Sequence, residues 1–546
     1  MKKIYIILTM VISSLIIVSC GEEFLQTEPL TNKNSESYYK TPAEANEALV
    51  GCYDALQLIG AVGVAMPYCA VMAGDLCFAG TGYTDGEGYP MIDEHDKTVS
   101  TVDVSLFQDN WRNYYVGIYR CNLLISKIEQ VDWSDDPEQK SIVEGEARFL
   151  RAYFYFDLVR MFERVPLLTE PTVDYVPQAE ADNVYKVIAE DLLFAIKNCD
   201  DGNYILSSEA GHANKWAAEA LLARVYLYYT GYYQKPDLVG KITSSQALTY
   251  LEDLISKGGY GLLDNFYNLW PAAQTYHAAI NGNSIMDALY VDEANKEIVF
   301  AIKYSYYSDY SGNTEGNHWM VMNGLRMQTY PPYGYGNGWG GCSVVPEFYQ
   351  SFEANDIRRE SSIIAISEEG VTYDPNDDKE YTGYYTKKYY PLCDTTGLNI
   401  AQDILGGTNF MIGQYQDYYS IRYSDVLLMA AELGSSKAME YYNKVHTRAG
   451  LDAVTGSVTK DMIFNERKFE LAFEGQRYWD LLRYDGKDNL TYAAQNLSYN
   501  GPILAGGSPG TKIINGDIIK TTKGLWQIPQ VEIDLSNGRL EQNPGW

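Results

Sequence analysis

The sequence predicts a mainly α-helical protein: a scaffold of paired helices stacked in the manner of TPR repeats, with one large irregular, loop-rich region carrying short β-strands. Three observations predict this. Segments with apolar residues at helical spacing follow one another through the first half of the chain. Short polar or Gly/Pro linkers separate many of them. Between residues 259 and 420 the pattern gives way to Gly, Tyr, Trp, Pro and Asn. A strict repeat of about 34 residues is not visible, so the helix pairs are divergent.

Each element has a local reason. The helix PAEANEALVGCYDALQLI begins at Thr41-Pro42, a capping residue followed by proline at the first helical position. The segment 110–129 carries Trp111, Tyr115, Ile118, Leu124 and Ile128 at helical spacing. EGEARFLRAYFYFDLVRMF (144–162) has a broad apolar face and stops before Pro166. Segments 184–198, 214–233 and 244–258 continue the series. The central region offers only short strand-like pieces such as EIVFAIKYS (297–305). Helix returns over 423–433, 437–450 and 460–484, and a loop-rich tail follows.

Composition narrows the function. A charge of −30, from 72 acidic and 42 basic residues in 546, argues against nucleic acid and against electrostatic docking on anionic lipid. A neutral or cationic partner remains compatible. Tyrosine is the outlier, with 49 Tyr against 16 Phe. Helical packing accounts for most of them, and the rest can form a recognition surface.

Lys2 and Lys3 precede the apolar run Ile4 to Val18, a signal-peptide length too short for a membrane span. The run ends at IVSC and resembles a bacterial lipobox, which makes Cys20 the lipidated mature N-terminus after removal of residues 1–19. Glu22 and Glu23 resemble the acidic surface-export tag of Bacteroidetes lipoproteins. The other cysteines are 52, 69, 77, 121, 199, 342 and 393, with no CxxC. They are expected to be mostly buried free thiols, although Cys69 and Cys77 could pair across a loop.

Three stretches carry a family likeness. IRYSDVLLMAAEL (421–433), NERKFELAFEGQRYWDLLRY (465–484) and LWQIPQVEIDLSNGRLEQNPGW (525–546) resemble signatures of the SusD/RagB family. RFLRAYFYFDLVRMFERVPL (148–167) fits the same family's N-terminal half. The resemblance implies a SusD-like N-terminal helical region over 20–258 and a C-terminal region over 259–546. Within the latter, 259–420 is the loop-rich ligand-binding part and 421–484 the returning helices. It further implies an outer-membrane lipoprotein facing the cell exterior, not an enzyme. Such a protein captures oligosaccharides, or in some members peptides, over a SusC-like TonB-dependent transporter. No metal or cofactor is implied.

Several motifs look chemical and have plainer readings. Glu466, Glu470 and Glu474 repeat at a spacing that repels on an isolated helix. They need cations, and Arg467, Arg477 and Arg483 are close in sequence, so a structural ion network is expected, with Trp479 and Asp480 part of it. GGSPG (506–510) matches a nucleophile-elbow pattern, but Pro509 follows the serine and no helix starts there. GNGWGG (336–341) has no strand before it and no helix after it, so it is not a dinucleotide loop. DPNDD (374–378) begins like a calcium loop, but Lys379 stands where glycine is needed. The histidines at 95, 212, 277, 318 and 446 are scattered.

YPPYGYGNGWGGC (330–342) carries four aromatic residues on backbone that must be loop. A pyranose presents a flat patch of C–H groups that a Trp or Tyr ring can cover, flanked by hydroxyls for Asn, Asp and Arg. The candidate ligand residues are therefore Tyr330, Tyr333, Tyr335 and Trp339, with Trp270 and Trp319 from neighbouring loops. The early loop AGDLCFAGTGYTDG (73–86) adds Tyr83 and Asp75, and Asn337 and Arg326 are polar partners. The rival readings are a secreted glycoside hydrolase with two carboxylates flanking a cleft, a peptide-binding member of the same family, and a scaffold that only clamps other proteins.

Overall fold

The computed structural model describes residues 37–61, 63–203, 210–288, 295–309, 315–326 and 333–546. The leader 1–19, Cys20, Glu22, Glu23 and Tyr330 lie outside the described residues. The long helices stack in chain order. α1 (Pro42–Gln57) packs on α2 (Gln108–Lys127), α2 on α3 (Pro137–Phe162), α3 on α4 (Ala181–Asn198), α4 on α5 (Lys215–Tyr233) and α5 on α6 (Ser244–Lys257). After the irregular region, α7 (Tyr423–Glu432) packs on α6, and α8 (Ala438–Arg448) on α7. The fold is the mainly helical, TPR-like scaffold that the sequence predicts. The loop-rich region is an insertion into one stack, between α6 and α7.

Capping chemistry sets the helix ends. Thr41 and Glu44 form a capping box at α1, and Thr243 and Gln246 form another at α6. α3 starts at Pro137, ahead of the apolar segment 144–162. Asp136 accepts from the Gln139 amide at 3.2 Å, and Pro137 fills the first turn. That turn is polar, so apolar spacing does not reveal it. From Phe149 to Phe162 every residue of α3 is buried. Its internal charges are paired, Arg151 with Asp191 of α4 and Arg160 with Asp157.

The segment 460–484 is not one helix. It divides into α9 (Lys460–Glu470) and α10 (Arg477–Asp485), with a turn between them in which Phe473 has φ 62° and Gly475 φ 73°. A Cβ at position 475 would lie 3.1 Å from the Pro67 backbone. The turn carries Glu474 to Arg422, whose Nε donates to it at 2.7 Å, and to Lys388 at 2.7 Å.

The expected ion network exists, but with other partners. Glu466 meets Arg358 at 2.5 Å and His446 at 2.8 Å. Glu470 meets Arg448 at 2.6 Å and Arg422 at 3.0 Å. Arg467 instead joins Asp425 and Asp480, Arg477 joins Asp75, and Arg483 joins Glu432 and Asp480. Proximity in sequence misleads here: Arg467 leaves α9 on a different face from Glu466 beside it, and Arg477 and Arg483 lie on α10, beyond the turn.

Short antiparallel pairs brace the insertion. β1 (Ile298–Ile302) pairs with β4 (Tyr418–Arg422), and β2 (Ile363–Ala365) with β3 (Tyr384–Thr386). The tail read as loop also holds a hairpin, β5 (Tyr499–Ala505) with β6 (Ser508–Ile514). GGSPG runs through its turn and into β6, with no strand–turn–helix. All seven described cysteines are free and buried, Cys69 and Cys77 among them. Among the described residues no helix is long and apolar enough to cross a membrane.

Candidate ligand-binding cleft

Four segments converge beside the helix stack. They are the loop 73–86, the short helix Trp319–Asn323, the loop 333–342 and the turn Pro375–Asp377. Backbone pairs join them. Thr81 N donates to Gly340 O, Tyr83 N to Asp377 O, Gly338 N to Leu325 O and Trp339 N to Val321 O, each at 2.8 Å. The glycines of the 333–342 loop permit this contact. A Cβ on Gly338 would lie 2.2 Å from Gly324 Cα. Their main use is to let backbone lie on backbone, and ring display follows from that.

Between these segments lies a cleft of about 550 Å³. Trp339, half-buried, forms one wall, with Tyr89, Met322 and Thr81 around it. Its ring meets the edge of His318 at 5.2 Å and 85°. Burial holds the His318 pKa below its ordinary value, against a hydrogen bond with Met411 O, so the ring beside Trp339 is neutral at pH 7. Arg326 forms the polar side. Its Nε donates to Asp377 Oδ2 at 2.6 Å and its Nη2 to Asp85 Oδ2 at 2.8 Å. A Cβ on Gly82 would come within 2.6 Å of the Arg326 guanidinium carbon, so only glycine lets the group lie there.

The loop 73–86 is anchored from beneath. Ala79 N donates to Asp93 at 3.0 Å and Gly80 N to Glu380 at 2.9 Å. Lys512 of β6 then ties Glu380 at 2.6 Å and Glu94 at 2.7 Å. Buried backbone amides thus find carboxyl acceptors, and the walls of the cleft are held in place.

The structure brings Arg326 and Trp339 together in the cleft. Tyr83 is 53% exposed beside it, hydrogen-bonded through its backbone to Asp377. Asn337 is exposed on the adjoining loop. Tyr333 is half-buried and donates to Glu369 O at 3.0 Å. Four other candidates are corrected. Trp270 and Trp319 are each 1% exposed and pack into an aromatic cluster with Tyr389, Tyr418 and Tyr419. Tyr335 is fully buried and donates to Glu369 at 2.6 Å. Asp75 is buried in a two-point pair with Arg477, at 2.8 and 2.7 Å. For the three rings the physical reason is apolar burial, Trp270 and Trp319 in the main hydrophobic core and Tyr335 in a second, smaller one; for Asp75 it is the charge of Arg477. Asp85, Asp377 and Tyr89 also line the cleft and were not among the sequence candidates. Asp85 and Asp377 sit inside the quoted stretches 73–86 and 374–378, but only folding shows that they share one guanidinium. A further aromatic pair, half-buried Tyr306 and exposed Tyr307, lies with ring centres 4.4 Å apart and planes tilted by 38° on another loop.

Comparison with known sequences and structures points to one family. Residues 364–546 match the SusD family profile, and residues 86–227 match a profile described as starch-binding associating with outer membrane. The chain is similar to the SusD/RagB family over both matched stretches. A SusD-like protein of Formosa agariphila is 26% identical over 518 residues, covering 88% of this chain and 91% of its own. A laminarin-binding SusD-like protein of known structure superposes with a TM-score of 0.72 at 27% identity, over 93% of this chain and all of that one. Surface glycan-binding protein A from Bacteroides thetaiotaomicron, solved with laminarihexaose, has a TM-score of 0.67 at 23% identity and shares the fold over 92% of this chain. SusD-like relatives of this kind are glycan-binding proteins and not enzymes, which sets aside the hydrolase reading.

Proposed function

We propose that this SusD-like chain is a cell-surface lipoprotein that captures oligosaccharides in the cleft beside Trp339. On this reading it is anchored in the outer membrane through Cys20 and passes its ligand to a SusC-like TonB-dependent transporter. The observation that carries the reading is the pairing of a half-buried tryptophan face with a fixed carboxylate–guanidinium–carboxylate arrangement in one open cleft. The ring covers the C–H face of a sugar, while Asp85 and Asp377 accept from hydroxyls. A ring surface of about 70 Å² covered at about 25 cal/mol per Å² contributes roughly 1.5–2 kcal/mol. Directional hydrogen bonds add to this, and association costs subtract, so the expected Kd is roughly 0.1–1 mM. Loose capture suits a protein that hands its ligand on.

A glycan array probed with the chain lacking residues 1–20 tests the reading. Retention of oligosaccharides that is lost in Trp339→Ala supports it. Retention of peptides alone transfers the cleft to the peptide-binding members of the family. For the anchor, Cys20→Ala is expected to move the protein from the membrane fraction to the soluble one.

A further inference from the structure

We propose that the cleft takes uncharged glycans and rejects chains bearing uronate or sulfate, because the guanidinium that faces the ligand is already shared between two carboxylates. The inference rests on the glycan-binding reading above and narrows its substrate class.

The charges lining the cleft, among the described residues, are Asp85, Arg326 and Asp377. Arg326 is occupied on two sides, by Asp377 through Nε and by Asp85 through Nη2. It is also wedged against the backbone of Gly82, where no side chain would fit. It cannot turn to a ligand anion without abandoning both partners. The two carboxylates stand further out, with side-chain exposures of 55% for Asp85 and 38% for Asp377 against 21% for Arg326. An approaching ligand therefore meets acceptor oxygens and net negative charge.

Neighbouring groups do not reverse this. Lys379 donates to the backbone oxygen of Asp85 at 2.6 Å, and its charge is set against Glu380, Glu87 and Asp85. His318, whose ring packs against Trp339, has its pKa lowered by burial, which favours the neutral ring. Sugar hydroxyls can donate to the two carboxylates and accept from the remaining N–H groups of Arg326. A carboxylate or sulfate in the same place brings like charges together, which is how charged sites turn away wrong partners.

The test uses the chain lacking residues 1–20. Binding of laminarihexaose, maltohexaose, cellohexaose and hexagalacturonate is measured by calorimetry, beside an array of neutral and anionic glycans. The expected result is that every array hit is neutral, and that hexagalacturonate at 20 mM salt binds at least tenfold more weakly than the best neutral ligand. Affinity for that neutral ligand is expected to stay constant between 20 and 500 mM salt. Asp85→Asn/Asp377→Asn, which frees the charge of Arg326, is expected to gain measurable affinity for hexagalacturonate. Should that variant fail to fold, the salt series on the unaltered protein still decides. Hexagalacturonate or sulfated hits matching the neutral ones, or affinity that falls steeply with salt, overturn the inference while leaving glycan binding intact. No hits of either kind overturn the glycan reading itself, and this inference with it.

Discussion

Trp339→Ala and Trp319→Ala should behave in opposite ways, although the two residues look alike in the sequence. Trp339 is half-buried on the wall of the cleft, so truncation removes the ring face a sugar would cover. At about 70 Å² and about 25 cal/mol per Å² the loss is roughly 1.5–2 kcal/mol, or about 10- to 30-fold in Kd. The ring's contribution to the core is partial, so the melting temperature should fall by only a few degrees. Trp319 is 1% exposed, with Tyr389 at 4.8 Å and Tyr418 at 5.8 Å. Its truncation opens a cavity, at a cost of about 3–5 kcal/mol in stability. Urea unfolding and calorimetric titration with an array-selected oligosaccharide separate the two quantities. If Trp339→Ala binds as the unaltered protein does, the assignment of the cleft is wrong. If Trp319→Ala weakens binding at unchanged stability, the buried cluster has been misread.

Asp75→Asn is expected to cost about 3–5 kcal/mol in urea unfolding, because Arg477 loses its two-point partner while remaining buried. Binding by the folded fraction should be unchanged. Acid should unfold the protein as the buried network titrates. Burial pushes the Glu470 carboxyl up, but Arg448, Arg422 and Arg358 outweigh it and hold it at about 2. A carboxylate depressed in the folded state gives stability that is present above its unfolded pKa, about 4.3, and lost as pH falls through the folded value. Unfolding free energy should therefore decline between about pH 4.5 and 2, and a flat profile there contradicts the network. Burial also lowers the His95 pKa to about 4, so a further loss is expected from pH 6.5 downward. All seven cysteines of the chain lacking residues 1–20 are buried thiols, so a thiol reagent should label none in native buffer and all of them in denaturant.

The helix stack was legible because its signals are local. Thr41-Pro42 fixes the start of α1, and apolar spacing fixes the packed faces. The broken helix at 471–476 was not legible, since the segment reads as helix throughout and the turn exists to bring Glu474 to a distant Arg422. The cleft was legible in part. Aromatic residues on glycine-rich backbone pointed to the loop 333–342, and Trp339 and Arg326 do meet in the cleft beside it. The same rule also selected Trp270, Trp319 and Tyr335, because loop composition shows that a ring is on a loop and not which way it faces. Asp85 and Asp377 lie far apart in the sequence and become a pair only through Arg326.

Sugar is expected to lie against Trp339 between Asp85 and Asp377. A crystal structure of the chain lacking residues 1–20, soaked with the strongest array ligand, measures this directly. The expected result is a pyranose ring parallel to the Trp339 indole, with hydroxyls within about 3 Å of Asp85, Arg326 and Asp377. Sugar density at another surface, such as Tyr306 and Tyr307, with the cleft empty would contradict it.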